Sequence, residues 1–188
     1  MSGLYSPPHK GYPQELPDYW KFQDGTIRTD LQELSDAELL ALEWYGPIEM
    51  PTYSETEIFT HRYDWNPDTL SFDKVEVGEE EKKSRVNYKE FWSLLVNGSV
   101  NPETGEKSGG AVYQKIKSVA KQSLEVNVSA TEFISLMGDA RQGNEFANVE
   151  KIQEVLTEIV TLVTFTTEEL AELQEIFTKT GMFAVYSI

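Results

Sequence analysis

Apolar and polar residues alternate in two stretches near the start of the chain and settle into a helical period beyond residue 86. Trp20-Lys21-Phe22 and Thr26-Ile27-Arg28-Thr29 flank Asp24-Gly25, a pair suited to the positive φ of a tight turn, and predict a hairpin. A second hairpin is expected where residues 58–65 alternate, with Phe59, His61, Tyr63 and Trp65 on one face. Its turn is Asn66-Pro67-Asp68-Thr69, and residues 70–77 run back. Between the hairpins, Ser35 and Glu38 have capping-box spacing ahead of Leu39, Leu40 and Leu42, which predicts a short helix stopped by Gly46-Pro47. Two hairpins form a small sheet that needs a helix or a partner to cover it.

The second half reads as helices. Asn87 and Glu90 have the spacing to cap a helix carrying Tyr88, Phe91, Trp92, Leu94 and Leu95, which Asn97-Gly98 ends. Asn101-Pro102-Glu103-Thr104-Gly105 reads as a loop. Residues 111–124 place Val112, Ile116, Val119 and Ala120 on one side. Ser129 and Glu132 form a second capping-box spacing before Phe133, Ile134, Leu136, Met137 and Gly138. Residues 149–163 carry Ile152, Val155, Leu156, Ile159 and Val163 at helical spacing. Thr166 and Glu169 open a last helix with Leu170, Leu173, Ile176 and Phe177, and Gly181 stands where a helix C-cap belongs.

The expected fold class is α+β: a small antiparallel hairpin module at the N-terminus followed by a mostly helical C-terminal module. Its parts are an extended Pro/aromatic arm over 1–19, a β-hairpin module with one short helix over 20–77, a charged linker over 78–86, and a helical module with an apolar C-terminal segment over 87–188. The linker stretch, Gly78-Glu79-Glu80-Glu81-Lys82-Lys83-Ser84, is equally able to begin the next helix, because Glu and Lys are good helix formers. The arm is read as extended because its prolines remove amide donors, and either lies on a surface or hangs free. The last residues, 182–188, are apolar and β-prone, and are expected to pair as a strand or to dock in a groove.

Composition narrows the function classes. At 188 residues with 12% aromatics, the chain is built to bury a core rather than to stay disordered. Without cysteine it forms no disulfide, thiolate nucleophile or Cys-ligated zinc site. No apolar run approaches the roughly 18 residues that span a bilayer, and residues 1–10 lack the pattern of a secretory signal. The net charge is −16, and it is uneven: residues 1–81 hold 18 acids against 5 bases, residues 82–188 hold 14 against 11. Such a surface repels phosphate backbones, so neither nucleic acid nor membrane is expected as a partner.

Candidate chemistry is sparse. His9 lies in the arm and His61 in a strand, neither with a nucleophile or carboxylate at a diagnostic spacing. Asp64-Trp65-Asn66-Pro67-Asp68 opens like a calcium loop, but Thr69 replaces the required glycine and Val75 the bidentate glutamate, so a hairpin turn is expected instead. Gly105-Glu106-Lys107-Ser108-Gly109-Gly110 lacks the spacing of a phosphate loop and reads as a polar turn. Lys115, Lys117 and Lys121, with Lys107 upstream, are the one basic cluster: either a solvated helix face or an electrostatic mate for an acidic surface. No catalytic residue, cofactor site or metal site is assigned. The expected partner-binding residues are those of the two apolar ends: Tyr5, Tyr12, Tyr19 and Trp20, and Met182, Phe183, Val185, Tyr186 and Ile188.

Three runs carry a family likeness: residues 20–29, with their Asp-Gly hairpin; Leu34-Ser35-Asp36-Ala37-Glu38-Leu39-Leu40-Ala41-Leu42; and Trp44-Tyr45-Gly46-Pro47. Together they resemble the N-terminal portion of small accessory proteins of tailed bacteriophages, tail-fibre-associated or assembly-related. The hairpin Tyr63-Asp64-Trp65-Asn66-Pro67-Asp68-Thr69 and the helical segment with Ala130-Thr131-Glu132-Phe133 are similar in order. Where such proteins have Leu-Gly-Trp, this chain has Leu42-Glu43-Trp44. The resemblance implies a non-enzymatic structural or interaction protein of the virion, bound to tail or fibre. It would contact other phage structural proteins in multiple copies and be assembled in the host cytoplasm. A tail-fibre assembly chaperone that leaves before maturation is the alternative, and a glycan or peptidoglycan hydrolase a further one.

Overall fold

Five of the helices begin on a polar side chain that accepts a backbone N–H of the first turn: Ser35, Asn87, Ser123, Asn148 and Thr166. Each such cap satisfies one of the free amides at a helix start and is worth about 1 kcal/mol. At Ser35 and Thr166 the capping box is complete, with Glu38 and Glu169 reaching back to the cap amide. The computed structural model describes residues 3–98, 105 and 110–186. The fold is α+β, with short antiparallel strand pairs in the N-terminal part and helices after them. The loop read at 101–104, the polar turn at 106–109 with Lys107, and Ile188 lie outside the described residues. The chain divides into two compact units: Met1–Tyr53 with His61–Glu76, and Ser54–Thr60 with Val77–Ile188.

The first unit contains strands β1 (Leu4–Ser6), β2 (Trp20–Lys21), β3 (Ile27–Arg28), β4 (Tyr45–Ile48), β5 (His61–Asn66) and β6 (Ser71–Glu76), with helix α1 (Asp36–Ala41). The strands do not join into one sheet. They form three separate antiparallel ribbons, β1 with β4, β2 with β3 and β5 with β6. In the longest, His61 faces Glu76 and the register runs unbroken to Asn66 opposite Ser71. Gly25 takes φ 88° in the β2–β3 turn, where the Asp24 carboxylate accepts from the Thr26 amide at 2.8 Å. The buried centre of this unit is Leu31, Leu39 and Trp44, with Tyr5, Leu16, Trp20, Leu34 and Leu42 packed around them.

Two expectations for this unit change. Gly46-Pro47 does not stop α1; the chain leaves the helix at Leu42, Glu43 turns left-handed at φ 63°, and Gly46-Pro47 lies inside β4. Strand β5 starts at His61 rather than at 58, because Ser54 and Glu57 exchange hydrogen bonds as a capping box. They wind Glu57–Thr60 into one helical turn, α2, which belongs to the second unit. The arm over 1–19 lies on its own module, with Leu4–Ser6 extended as β1. Tyr5 and Gln14 exchange backbone hydrogen bonds at 2.8 and 3.0 Å, and the Trp65 indole donates to the Lys10 carbonyl.

The second unit continues with α3 (Glu79–Arg85), α4 (Tyr88–Asn97), α5 (Ala111–Ala120), α6 (Leu124–Ala140), α7 (Val149–Leu162) and α8 (Thr167–Thr180). Helix α3 replaces the expected charged linker. Its charges sit one turn apart and pair: Lys82 with Glu79 and Lys83 with Glu80 at 2.9 Å, Arg85 with Glu81 at 2.6 Å. The helix expected over 111–124 ends at Ala120, because Ser123 caps a new one. Ser129 is therefore no cap; it lies inside α6 and its hydroxyl donates to the Glu125 carbonyl. The terminal segment is not a strand. Gly181 takes φ 80° and Met182–Ala184 follow as a 3-10 turn.

Two left-handed positions make opposite predictions for stability. A Cβ on Gly181 would enter the Phe59 ring and force an L side chain to positive φ, so Gly181→Ala is expected to cost at least ~1–2 kcal/mol. Glu43→Gly relieves a strained φ and is expected to stabilise by about 0.5–1 kcal/mol. Urea midpoints of both variants against wild type check the two signs together.

Candidate functional site

The expected partner-binding residues separate into those the fold consumes and those it leaves on the surface. Tyr5 sits in β1, and its hydroxyl donates to Asp36 Oδ1 at 2.8 Å. That hydrogen bond to a carboxylate, more than burial, raises the Tyr5 pKa above the ordinary tyrosine value. Trp20 packs edge-on against Trp44 with ring centres 5.0 Å apart. Neither ring is free to leave the module. Tyr12 and Tyr19 differ: they are 59% and 55% exposed, although Tyr12 rests one edge against Phe72.

At the other end, the described part of the apolar segment docks on the chain's own helices, one of the two outcomes expected for it, rather than pairing as a strand. Met182 is 1% exposed, and Tyr186 is buried with its ring 5.4 Å from that of Phe177. The Tyr186 hydroxyl meets Thr157 Oγ1 at 3.2 Å, and the Val185 carbonyl accepts from the Gln153 amide. Phe183 is half-buried against Phe59. The physical reason is local: Gly181 in the left-handed region reverses the chain, so these apolar residues fall back onto α7 and α8 instead of running on.

Between β2 and the end of α1, a cleft of about 440 Å³ opens. His9, Trp20, Phe22, Gln23, Leu42 and Glu43 are among the residues that line it. His9 and Lys10 both adopt left-handed backbone, at φ 70° and 57°, and His9 Nε2 meets Gln23 Nε2 at 2.8 Å. Tyr19 immediately precedes Trp20, so the exposed tyrosine borders this cleft in sequence.

The calcium-like run folds as the turn its sequence predicts. Asn66 Oδ1 accepts from the amides of Asp68 and Thr69, Asn66 Nδ2 donates to Asp73, and Asp64 pairs with Arg62. The Asn66 amide and the Asp64 carboxylate are thereby committed to the hairpin. Two polar atoms are buried without a hydrogen-bond partner among the described residues, Trp44 Nε1 and the Tyr88 hydroxyl. Burial alone pushes the Tyr88 pKa up to about 12.

One surface escaped the sequence reading. Helix α6 exposes Leu124 (81%), Val128 (58%) and Ile134 (43%) beside α5. Ser123 as an N-cap, with Leu124 and Val128 one turn apart after it, was the available signal. The competing Ser129–Glu132 spacing hid it. The chain matches no family model, no curated protein and no solved structure.

Two measurements follow. Met182→Ala is expected to cost about 2–5 kcal/mol as a buried truncation. Tyr19→Ala should stay within about 0.5 kcal/mol; thermal unfolding of the two variants separates core from surface. In the first unit, the Arg28 guanidinium holds the Asp30 carboxyl below its ordinary pKa. The folded value lies below the unfolded one, so this stabilisation is complete above the ordinary carboxylate range and is lost as pH falls through the folded value. Asp30→Asn should therefore lower the urea midpoint at pH 6, and its deficit against wild type should shrink steadily as pH falls below the ordinary carboxylate range.

Proposed function

We propose that the chain is a non-catalytic interaction protein of a tailed bacteriophage, built into the virion in multiple copies at the tail or fibre. The observation that carries this reading is the exposure of Tyr12 and Tyr19 on a segment held in place from both sides. Behind it stand the β1–β4 pairing and the Tyr5–Asp36 bond; ahead of it stands the Trp20–Trp44 contact. Rigid tyrosines on an ordered backbone offer large contact area at little entropic cost, which is what an interface anchor requires.

Two further features support it. The likeness to small phage accessory proteins falls on residues 20–47 of this same unit. The unit also buries little: Leu31, Leu39 and Trp44 form the whole fully buried part of its apolar cluster. A module with so small a core gains stability from a cover. The anchoring surface is the N-terminal one alone, since the C-terminal residues Met182 and Tyr186 are occupied by the second unit's own core.

Mass spectrometry of purified particles of the bacteriophage that encodes the chain tests the proposal. Stoichiometric recovery in particles is expected, and Tyr12→Ala/Tyr19→Ala should reduce incorporation severalfold while the purified protein unfolds at an unchanged temperature. Recovery from infected-cell lysate but not from particles would replace the reading with that of an assembly chaperone.

A further inference from the structure

We propose that the groove between α5 and α6 docks an amphipathic helical segment of a partner protein, whose carboxylates one turn apart face Lys117 and Lys121. This goes beyond the reading above. It concerns the second unit and does not rest on the N-terminal tyrosines.

The groove has a volume of about 210 Å³ and an apolar floor of Ile116, Ala120, Ala130 and Phe133. Two of those four are alanines, so a facing backbone approaches closely. On its outer side, α6 places Leu124, Asn127, Val128, Thr131, Ile134 and Ser135 at successive exposed positions. None of the six is charged; the acids of the helix are Glu125, Glu132, which meets Lys151, and Asp139. In a chain with 26% charged residues, six uncharged exposed positions along one helix make a surface suited to contact as much as to water. Ala130 and Ile134, both lining the groove, lie one turn apart, the spacing that receives the apolar stripe of another helix.

Charge says which helix. Lys117 and Lys121 line the groove and lie one turn apart on one side of it. Elsewhere Lys82, Lys83, Lys151 and Lys179 each meet a glutamate, but Lys117 and Lys121 form no ion pair among the described residues. Lys117 Nζ instead stands 5.5 Å from the Tyr113 ring centre, which holds the ammonium beside the groove. Two lysines one helical turn apart, with Cβ atoms about 5–6 Å from each other, match carboxylates at i and i+4 of a facing helix. An anionic membrane or a nucleic acid would meet the same lysines, but the −16 net charge of the chain repels either one. A helix with a few acids and an apolar stripe meets only the local field.

The test uses the full chain and a yeast-displayed library of helical peptides of about 18 residues, randomised over one face. Selection against wild type is expected to enrich an apolar stripe flanked by Glu or Asp at i, i+4. Lys117→Glu/Lys121→Glu, on exposed side chains, should weaken those binders about tenfold and invert selection toward Lys or Arg. Ile134→Glu, at an exposed residue that lines the groove, should abolish binding of both sets. No enrichment, binders without acids, or binders indifferent to the charge reversal would overturn the proposal. So would groove-dependent binding to vesicles of about one part phosphatidylserine to three of phosphatidylcholine, which would assign the face to a membrane. A concentration-dependent dimer broken by Ile134→Glu would assign it to a second copy, and would equally overturn it.

Discussion

The ring of Phe91 organises the helical unit. It is fully buried in α4 and touches two other aromatic rings, Phe133 of α6 at 6.4 Å and Phe177 of α8 at 5.8 Å between centres. Residues far apart in the chain thus meet at one point, and each adds several tenths of a kcal/mol beyond its area burial through edge-on or tilted geometry. The contacts extend outward. Trp92 packs on Phe133 and Tyr113, and Phe177 passes the packing on to Tyr186. Because Tyr186 is a member of this set, the end of the described chain is drawn inward, and the surface available to partners moves elsewhere.

What the sequence made legible was local. Capping pairs at Ser35–Glu38 and Thr166–Glu169, the turn at Asp24-Gly25 and the left-handed stop at Gly181 all act over four or five residues, and all were readable. Choices between competing local signals were not. Ser129 has the same spacing to Glu132 as a true cap, but it lies mid-helix because Ser123 wins the start. Residues 58–60 alternate like a strand, yet Ser54 and Glu57 wind them into a turn whose Phe59 packs against Phe183. The pairing of β1 with β4 joins Leu4 to Ile48, a separation at which no periodicity speaks. Of the aromatic and apolar residues at the two ends, Tyr12 and Tyr19 stay exposed, while Met182 and Tyr186, with the same apolar signature in sequence, are buried.

Acidic and basic residues are spent differently along the molecule. In α3, cations and glutamates neutralise one another within a single helix, which lets a seven-residue segment with no buried side chain persist as a helix. In α5, Lys117 stands without such a partner among the described residues, beside a groove with an apolar floor. The same residue types stabilise local structure in one place and leave an unbalanced field in the other, and it is the unbalanced field that distinguishes a surface with chemical direction from a merely solvated one.

The chain enters the second unit at 54, returns to the first at 61, and leaves it for good after 76. Seven residues of the early chain are thus lent to the later unit, where Phe59 packs against Gly181 and Phe183. During synthesis, the first unit can close as soon as residue 76 clears the ribosome, whereas Phe59 waits unseated until residues 181–183 have been made. Neither unit is therefore obtained whole by cutting the gene at one point, and residues 181–183 complete packing begun more than a hundred residues earlier.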